Sequence, residues 1–192
     1  TYFRIYKLIM KQYFIFIPNL LSIFRIFLMY PLLTFISQEN YLFALYIFIF
    51  AAITDGLDGY LARFMDWSTD LGKILDPIAD KVLLIGTVLI LWMNGYIPFF
   101  VLLVFVLRDF VIILGAAFHM TVYETPTPTP NLFGKITTFI HIAYLACVFI
   151  DIISELSISN FYVDLSVALV TIISLILYGI NWFKLTAKMH RE

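Results

Sequence analysis

Long apolar runs separated by short polar stretches make up nearly all of this 192-residue chain. A helix needs about 20 mostly apolar residues to cross a bilayer, and six of the runs are long enough. The pattern predicts membrane-spanning helices over residues 18–37, 41–64, 70–93, 98–123, 132–153 and 161–183. Asn94-Gly95 after the third run is a typical helix C-terminal signal.

The segment before the first run has a different pattern. In residues 1–13, Arg4, Lys7 and Lys11 recur at helical spacing with apolar residues between them. This pattern predicts an amphipathic helix that lies on the membrane surface. A basic flank that only sets the orientation of the first span is the alternative interpretation.

The composition supports a membrane protein. Apolar residues make up 62% of the chain and charged residues 13%, against about 45–50% and about 25% in soluble domains. A soluble domain of this size could not bury so much apolar surface, and a disordered chain would be more polar. The net charge of −1 gives no basic surface for nucleic acid. We expect a single all-α, polytopic membrane domain over residues 1–192.

The distribution of Lys and Arg predicts the orientation of the spans. The predicted loops 38–40, 94–96 and 151–160 contain neither residue. Most of the Lys and Arg residues fall in the N-terminal segment, residues 63–73, residues 121–135 and the C-terminal tail. Because positive charge accumulates on the cytoplasmic side, both termini and the second and fourth loops are predicted to be cytoplasmic.

Acidic residues cluster at the cytoplasmic ends of the second and third predicted spans. Six of the nine aspartates lie between Asp55 and Asp80. Asp55 and Asp58 share a helix face because they are three residues apart, and Asp76 and Asp80, four apart, share another. The two spans are antiparallel neighbours joined by a short turn, so Asp55 and Asp80 are both expected on the order of 14 Å from the helix ends. Four carboxylates are therefore predicted to converge.

Such a cluster needs positive charge, because four carboxylates cannot all stay ionised in a low-dielectric site without it. Oxygen ligands at this density suit hard divalent cations, namely Mg²⁺, Mn²⁺ or Ca²⁺. Two such ions would suit phosphoryl chemistry. Arg63 and Lys81 flank the carboxylates and could hold a phosphate. Small residues that keep bulk out of the cleft are Gly59, Ala62, Gly72 and Ala79.

A pattern of eight positions at fixed spacing resembles the signature of the CDP-alcohol phosphotransferase family. These positions are Asp55, Asp58, Gly59, Ala62, Arg63, Gly72, Asp76 and Asp80. In addition, the segment from Pro18 to Arg25 resembles the opening of the first span in family members that make phosphatidylglycerophosphate or cardiolipin. The resemblance covers nearly the whole chain, including six spans and an N-terminal surface helix.

The resemblance implies an enzyme that transfers a phosphatidyl group from CDP-diacylglycerol to a second alcohol and releases CMP. It implies that Asp55, Asp58 and Asp76 bind one or two Mg²⁺ or Mn²⁺ ions. Asp80 would contact the second ion and act as the general base. The residues implied to bind the CDP-lipid are Asn19, Gly59, Ala62, Arg63, Thr69 and Gly72. A homodimer in a bacterial or mitochondrial-type inner membrane is implied as well.

The acceptor alcohol is predicted from a second group of residues. The resemblance implies an acceptor pocket lined by Arg108, Lys135, Lys81 and Arg25. Relatives that use glycerol 3-phosphate usually carry further cations where this chain has Ala116 and Thr137. A dianionic acceptor favours several Lys or Arg contacts, whereas a diester needs fewer. The sequence therefore favours phosphatidylglycerol as acceptor, with glycerol 3-phosphate as the alternative.

Two other classes of protein fit the clustered carboxylates. A cation transporter lines its path with intramembrane acids, and a membrane scaffold would use them for structure alone. A transporter needs polar groups in both halves of the membrane, but the outer halves of the second and third spans are apolar. The sequence therefore favours an enzyme whose site opens to the cytoplasmic side.

Overall fold

A computed structural model of the protein describes most of the predicted spans. It describes the backbone over residues 17–65, 72–123, 132–156 and 159–189, and side chains over 20–57, 79, 81–115, 133–156 and 159–183. The residues so described form six α-helices and no β-strand. The helices are α1 (Ile17–Ser37), α2 (Tyr41–Met65), α3 (Gly72–Met93), α4 (Phe99–Tyr123), α5 (Leu132–Ser154) and α6 (Phe161–Met189).

The six helices coincide with the six apolar runs, and most of their ends agree with the predicted ends within one or two residues. The exception is α6, which continues to Met189, beyond the apolar run that was predicted to end at residue 183. The all-helical class is thus confirmed. The predicted surface helix over residues 1–13 lies outside the described residues.

By length and composition, three segments of the described chain are long and apolar enough to cross a membrane. They are Leu20–Ser37, Phe133–Ser154 and Phe161–Phe183. Large apolar side chains remain exposed on these helices, as at Phe27 and Phe139, which are 70% and 71% exposed. Apolar surface on this scale needs a non-aqueous environment, which places the chain among membrane proteins.

Backbone hydrogen bonds cap the C-terminal ends of α1 and α3. After α1, the Asn40 amide donates to the Phe35 carbonyl over 2.8 Å. After α3, Gly95 has a φ of +81° and the Tyr96 amide donates to the Leu91 carbonyl over 3.0 Å. A left-handed residue followed by this bond is a common helix C-cap, and glycine adopts it without a steric cost. The cap predicted at Asn94-Gly95 is confirmed.

The helices fall into two compact units, of which the first ends at Ile90. In this unit α1 and α2 pack as an antiparallel pair joined by the short turn at 38–40. The rings of Phe35 and Phe43 stack near this turn, with centroids 5.6 Å apart. Gly86 on α3 lies directly beside Met29, because a Cβ at position 86 would overlap the Met29 methyl group. Apolar side chains buried in this unit include Leu32, Ile36, Ala44, Phe48, Ala51, Leu83 and Val88.

The second unit begins at Leu91 and contains α4, α5 and α6. Its interior holds polar side chains that pair with one another across helices. The His141 ring stacks on Phe105 with centroids 3.6 Å apart, and its Nε2 lies 2.9 Å from Thr171 Oγ1. The Tyr144 hydroxyl donates to Asp164 Oδ1 over 2.7 Å. Since buried polar groups are costly unless they are paired, these contacts fix how the three helices pack.

Candidate active site

The four aspartates of the predicted cluster lie on two consecutive helices. Asp55 and Asp58 belong to the second half of α2, and Asp76 and Asp80 to the first half of α3. The chain between these helices, residues 66–71, lies outside the described residues and includes the predicted ligand Thr69. Both pairs are therefore close in sequence to the same connection, as the predicted arrangement requires.

On α2, the side of the helix that carries Asp55 is the packed side. Ala44, Phe48 and Ala51 are fully buried at intervals of three or four residues, and Asp55 follows four residues later. Asp58 comes three residues after Asp55, so the helical register continues the same stripe. The packing that buries the apolar part of α2 therefore also fixes the position of its first aspartate.

The Asp55 side chain is described in the structure and forms an ion pair with Arg25 of α1. Arg25 Nη1 lies 2.8 Å from Asp55 Oδ1. The arginine side chain is fully buried, whereas the aspartate side chain is 35% exposed. Arg25 was predicted to line the acceptor pocket, but it lies against the first aspartate of the cluster.

The chemistry of these residues fits a hard divalent cation. Carboxylate oxygens are the ligands that Mg²⁺ and Mn²⁺ prefer, and Asp55 presents a partly exposed carboxylate. The side chains of Asp58, Asp76 and Asp80 are not among the described ones. No group of three or more metal-ligating side chains occurs within the described part of the chain. The convergence of all four carboxylates therefore stays a prediction.

The other residues predicted to bind the CDP-lipid are placed by their helices alone. Asn19 lies in the first turn of α1, and Gly72 opens α3. Toward the end of α2 lie Gly59, Ala62 and Arg63. Lys81, predicted for the acceptor pocket, is half-buried on α3.

Arg108, another predicted acceptor residue, is buried in the second unit and links α4 to α5. Its Nη1 lies 2.7 Å from Asp109 Oδ1, and its Nη2 donates to the Gly134 carbonyl over 3.1 Å. Within the described residues, the Arg108 Nε atom is buried and has no hydrogen-bond partner. Lys135, next to Gly134 in the chain, is exposed. Two predicted acceptor cations thus lie at or near the first turn of α5.

Thr137 was one of the two residues from which the acceptor was predicted. It is 2% exposed, and its hydroxyl donates to the Phe133 carbonyl one turn earlier over 2.8 Å. A side chain that bonds back to its own helix is satisfied without any ligand. Thr137 therefore says little about the charge of the acceptor.

Comparison with known proteins supports the pattern of the site. The family model for CDP-alcohol phosphatidyltransferase matches residues 15–184. The chain is 37% identical over 175 residues to a protein of Aquifex aeolicus named CDP-diacylglycerol–glycerol-3-phosphate 3-phosphatidyltransferase, in an alignment that covers 90% of this chain and 94% of that protein. A protein of the same name from Mycoplasma pneumoniae is 35% identical over 194 residues, with 85% of each chain covered.

A relative with a different name is similar over a shorter stretch. Cardiolipin synthase (CMP-forming) of Rattus norvegicus is 39% identical over 115 residues, which cover 58% of this chain and 37% of that protein. The match of the family model extends from two residues before α1 into α6 and includes all eight positions of the aspartate pattern. The chain therefore belongs to the CDP-alcohol phosphatidyltransferase family.

Proposed function

We propose that this phosphatidyltransferase uses CDP-diacylglycerol as donor and glycerol 3-phosphate as acceptor. One observation carries the choice of acceptor: a relative named for that acceptor aligns with 90% of this chain and 94% of its own length. The cardiolipin synthase alignment covers only 58% of the chain. The order of acceptors favoured by the sequence analysis is thus reversed, and glycerol 3-phosphate takes precedence over phosphatidylglycerol.

The proposed reaction is a displacement at phosphorus. The acceptor hydroxyl oxygen forms a bond to the β-phosphorus of CDP-diacylglycerol, which keeps its ester to diacylglycerol. The bond from that phosphorus to the bridging oxygen breaks, and CMP leaves with this oxygen. Asp80 takes the hydroxyl proton as general base, a role usually worth about 10²–10⁴ in rate.

Asp55, Asp58 and Asp76 would hold Mg²⁺ or Mn²⁺, with Asp80 at a second ion. When bound, these ions would neutralise the diphosphate and stabilise the leaving CMP. The spacing of the four residues on α2 and α3 supports this role. Residues that would bind the rest of the CDP-lipid are Asn19, Gly59, Ala62, Arg63, Thr69 and Gly72.

For the phosphate of the acceptor, we propose Arg108, Lys135 and Lys81. The buried Nε of Arg108 and the exposed position of Lys135 support this assignment. A guanidinium paired to one carboxylate, as Arg108 is to Asp109, still has further N–H donors. The further cations that relatives using glycerol 3-phosphate usually carry at positions 116 and 137 are not required if these three residues contact the phosphate.

In the membrane, we propose six spans with both termini and the active site on the cytoplasmic side, preceded by a surface helix over residues 1–13. The distribution of Lys and Arg supports this orientation. The family match runs through both compact units, which supports one membrane domain. By resemblance to the family, the protein would be a homodimer.

Cardiolipin synthesis, with phosphatidylglycerol as acceptor, is the second candidate function. It is supported by the cardiolipin synthase relatives, of which the human protein is 37% identical over 115 residues. The two candidates share the donor, the leaving group and the aspartate cluster. They differ only in the acceptor, so an acceptor comparison separates them.

We expect the purified protein to have a kcat/KM for glycerol 3-phosphate at least tenfold above that for phosphatidylglycerol. The reason is charge: each additional charge-assisted contact to the dianion is worth about 1.5–3 kcal/mol, and tenfold corresponds to about 1.4 kcal/mol. Labelled CDP-diacylglycerol in mixed micelles, with each acceptor supplied in turn and products separated by thin-layer chromatography, gives both values. A clear preference for phosphatidylglycerol would establish the second candidate instead.

A further inference from the structure

The two side chains of the Arg25–Asp55 ion pair differ in their exposure: the arginine is buried and the aspartate is partly exposed. The guanidinium side has no exposed surface, whereas about a third of the carboxylate side chain is exposed. A ligand can therefore reach the carboxylate but not the arginine.

Arg25 is held in place by the packing of α1. Ser22, Leu32 and Ile36 are buried at helical spacing on the same stripe, and Arg25 lies between them. Phe24, the residue before Arg25, meets Phe50 of α2 edge to face, with ring centroids 6.4 Å apart. The guanidinium is therefore fixed before any ligand binds, so Asp55 Oδ1 is fixed as well.

The Arg25–Asp55 pair also lies at about the distance from the helix ends that was predicted for the aspartate cluster. Arg25 is eight residues from the start of α1, and Asp55 is ten from the end of α2. At about 1.5 Å per residue, these are roughly 12 and 15 Å from the two helix ends. Because arginine stays protonated in proteins, it supplies a permanent positive charge beside the first of four predicted ligands.

We propose that Arg25 is a positioning residue that orients Asp55 for the divalent cation. The guanidinium holds Oδ1, which leaves the second carboxylate oxygen as the atom that would bind the cation. This inference rests on the metal site of the proposed function. It assigns to Arg25 a role different from the acceptor binding that the sequence analysis predicted.

The test compares the Kd for Mn²⁺ of purified wild-type protein with the Kd of Arg25→Lys and Arg25→Met. Binding is measured by the electron paramagnetic resonance signal of the free ion. Replacing a residue that hydrogen-bonds to a metal ligand changes metal affinity by about 10–100-fold. We expect the Kd for Mn²⁺ to rise at least tenfold in Arg25→Met and by less in Arg25→Lys, which keeps the charge but loses the planar fork. The control is Thr34→Val on the same helix, whose hydroxyl bonds only to the Tyr30 carbonyl.

The same variants are assayed for the metal concentration at half-maximal rate and for the KM of glycerol 3-phosphate. We expect the first to rise in parallel with the Kd and the second to stay within about twofold of wild type. Thermal unfolding of each variant distinguishes a positioning effect from loss of the fold. If Arg25→Met does not fold, the comparison is made with Arg25→Lys alone. Unchanged or tighter Mn²⁺ binding in a folded variant, or a rise in acceptor KM alone, would overturn the assignment. If wild-type protein binds no Mn²⁺, the proposed metal site fails and the inference fails with it.

Discussion

Turnover is expected to fall about 10³-fold or more when Asp55, Asp58 or Asp76 is replaced by alanine. Metal ions stabilise charge at the reacting phosphate by several kcal/mol, and each 1.36 kcal/mol lost costs about tenfold in rate. CMP release from CDP-diacylglycerol by each purified variant measures the effect. A matched control is Asp151→Ala at the end of α5, because Asp151 contacts the loop before α6 through the Ser159 amide.

These three variants should also lose metal-dependent binding of the CDP-lipid, and excess chelator should stop the wild-type enzyme. Refilling with Mg²⁺ or Mn²⁺ should restore the rate of wild type but not of the variants. A variant of Asp55, Asp58 or Asp76 that keeps more than about a tenth of the wild-type rate would remove that residue from the proposed metal site.

Asp80→Asn is expected to have a different effect, with a rate about 10²–10⁴-fold below wild type and CDP-lipid binding largely kept. The amide has nearly the same shape and one oxygen that can still contact a cation, but it cannot take a proton from the acceptor hydroxyl. Single-turnover CMP release measures the chemical step, and equilibrium binding of labelled CDP-diacylglycerol measures the complex.

A comparison with Asp80→Ala sharpens this test. The alanine variant should lose both the rate and part of the metal-dependent binding, because it removes the oxygen ligand as well as the base. If Asp80→Asn turns over near the wild-type rate, another group takes the proton.

The helices themselves could be predicted closely from the apolar runs. The reason is physical: in a long apolar run, a helix satisfies the backbone polar groups within the segment itself, and Gly95 marked the end of α3 as predicted. The spacing of the aspartates placed them on α2 and α3 in the same way. Local patterns were sufficient for these features because each depends on residues close together in the sequence.

The partner of Arg25 was harder to predict, because it lies on another helix 30 residues away. One signal was available: Ser22, Arg25, Leu32 and Ile36 follow one helical stripe, and a cation buried in a membrane needs an acidic partner. The nearest acids in the antiparallel neighbour begin at Asp55. Applied to α1, this reasoning would have placed Arg25 against the cluster.

The acceptor was predicted from missing cations, and that inference was weak for a physical reason. Phosphate can be contacted by Lys or Arg from several helices, so the absence of a cation at Thr137 excludes no acceptor. The structure gives Thr137 a partner within its own helix and leaves Arg108 and Lys135 on α4 and α5. The charge of a binding site depends on residues from several helices, so a single sequence motif does not determine it.

We propose that the protein transfers a phosphatidyl group from CDP-diacylglycerol to glycerol 3-phosphate at the aspartate cluster. The most direct test measures CMP release by purified wild-type protein with and without glycerol 3-phosphate, together with the lipid product. We expect CMP and phosphatidylglycerophosphate to form in equal amounts, only when acceptor and divalent cation are both present, and not with Asp76→Ala. CMP release that continues without acceptor, or the same product yield from Asp76→Ala, would contradict it.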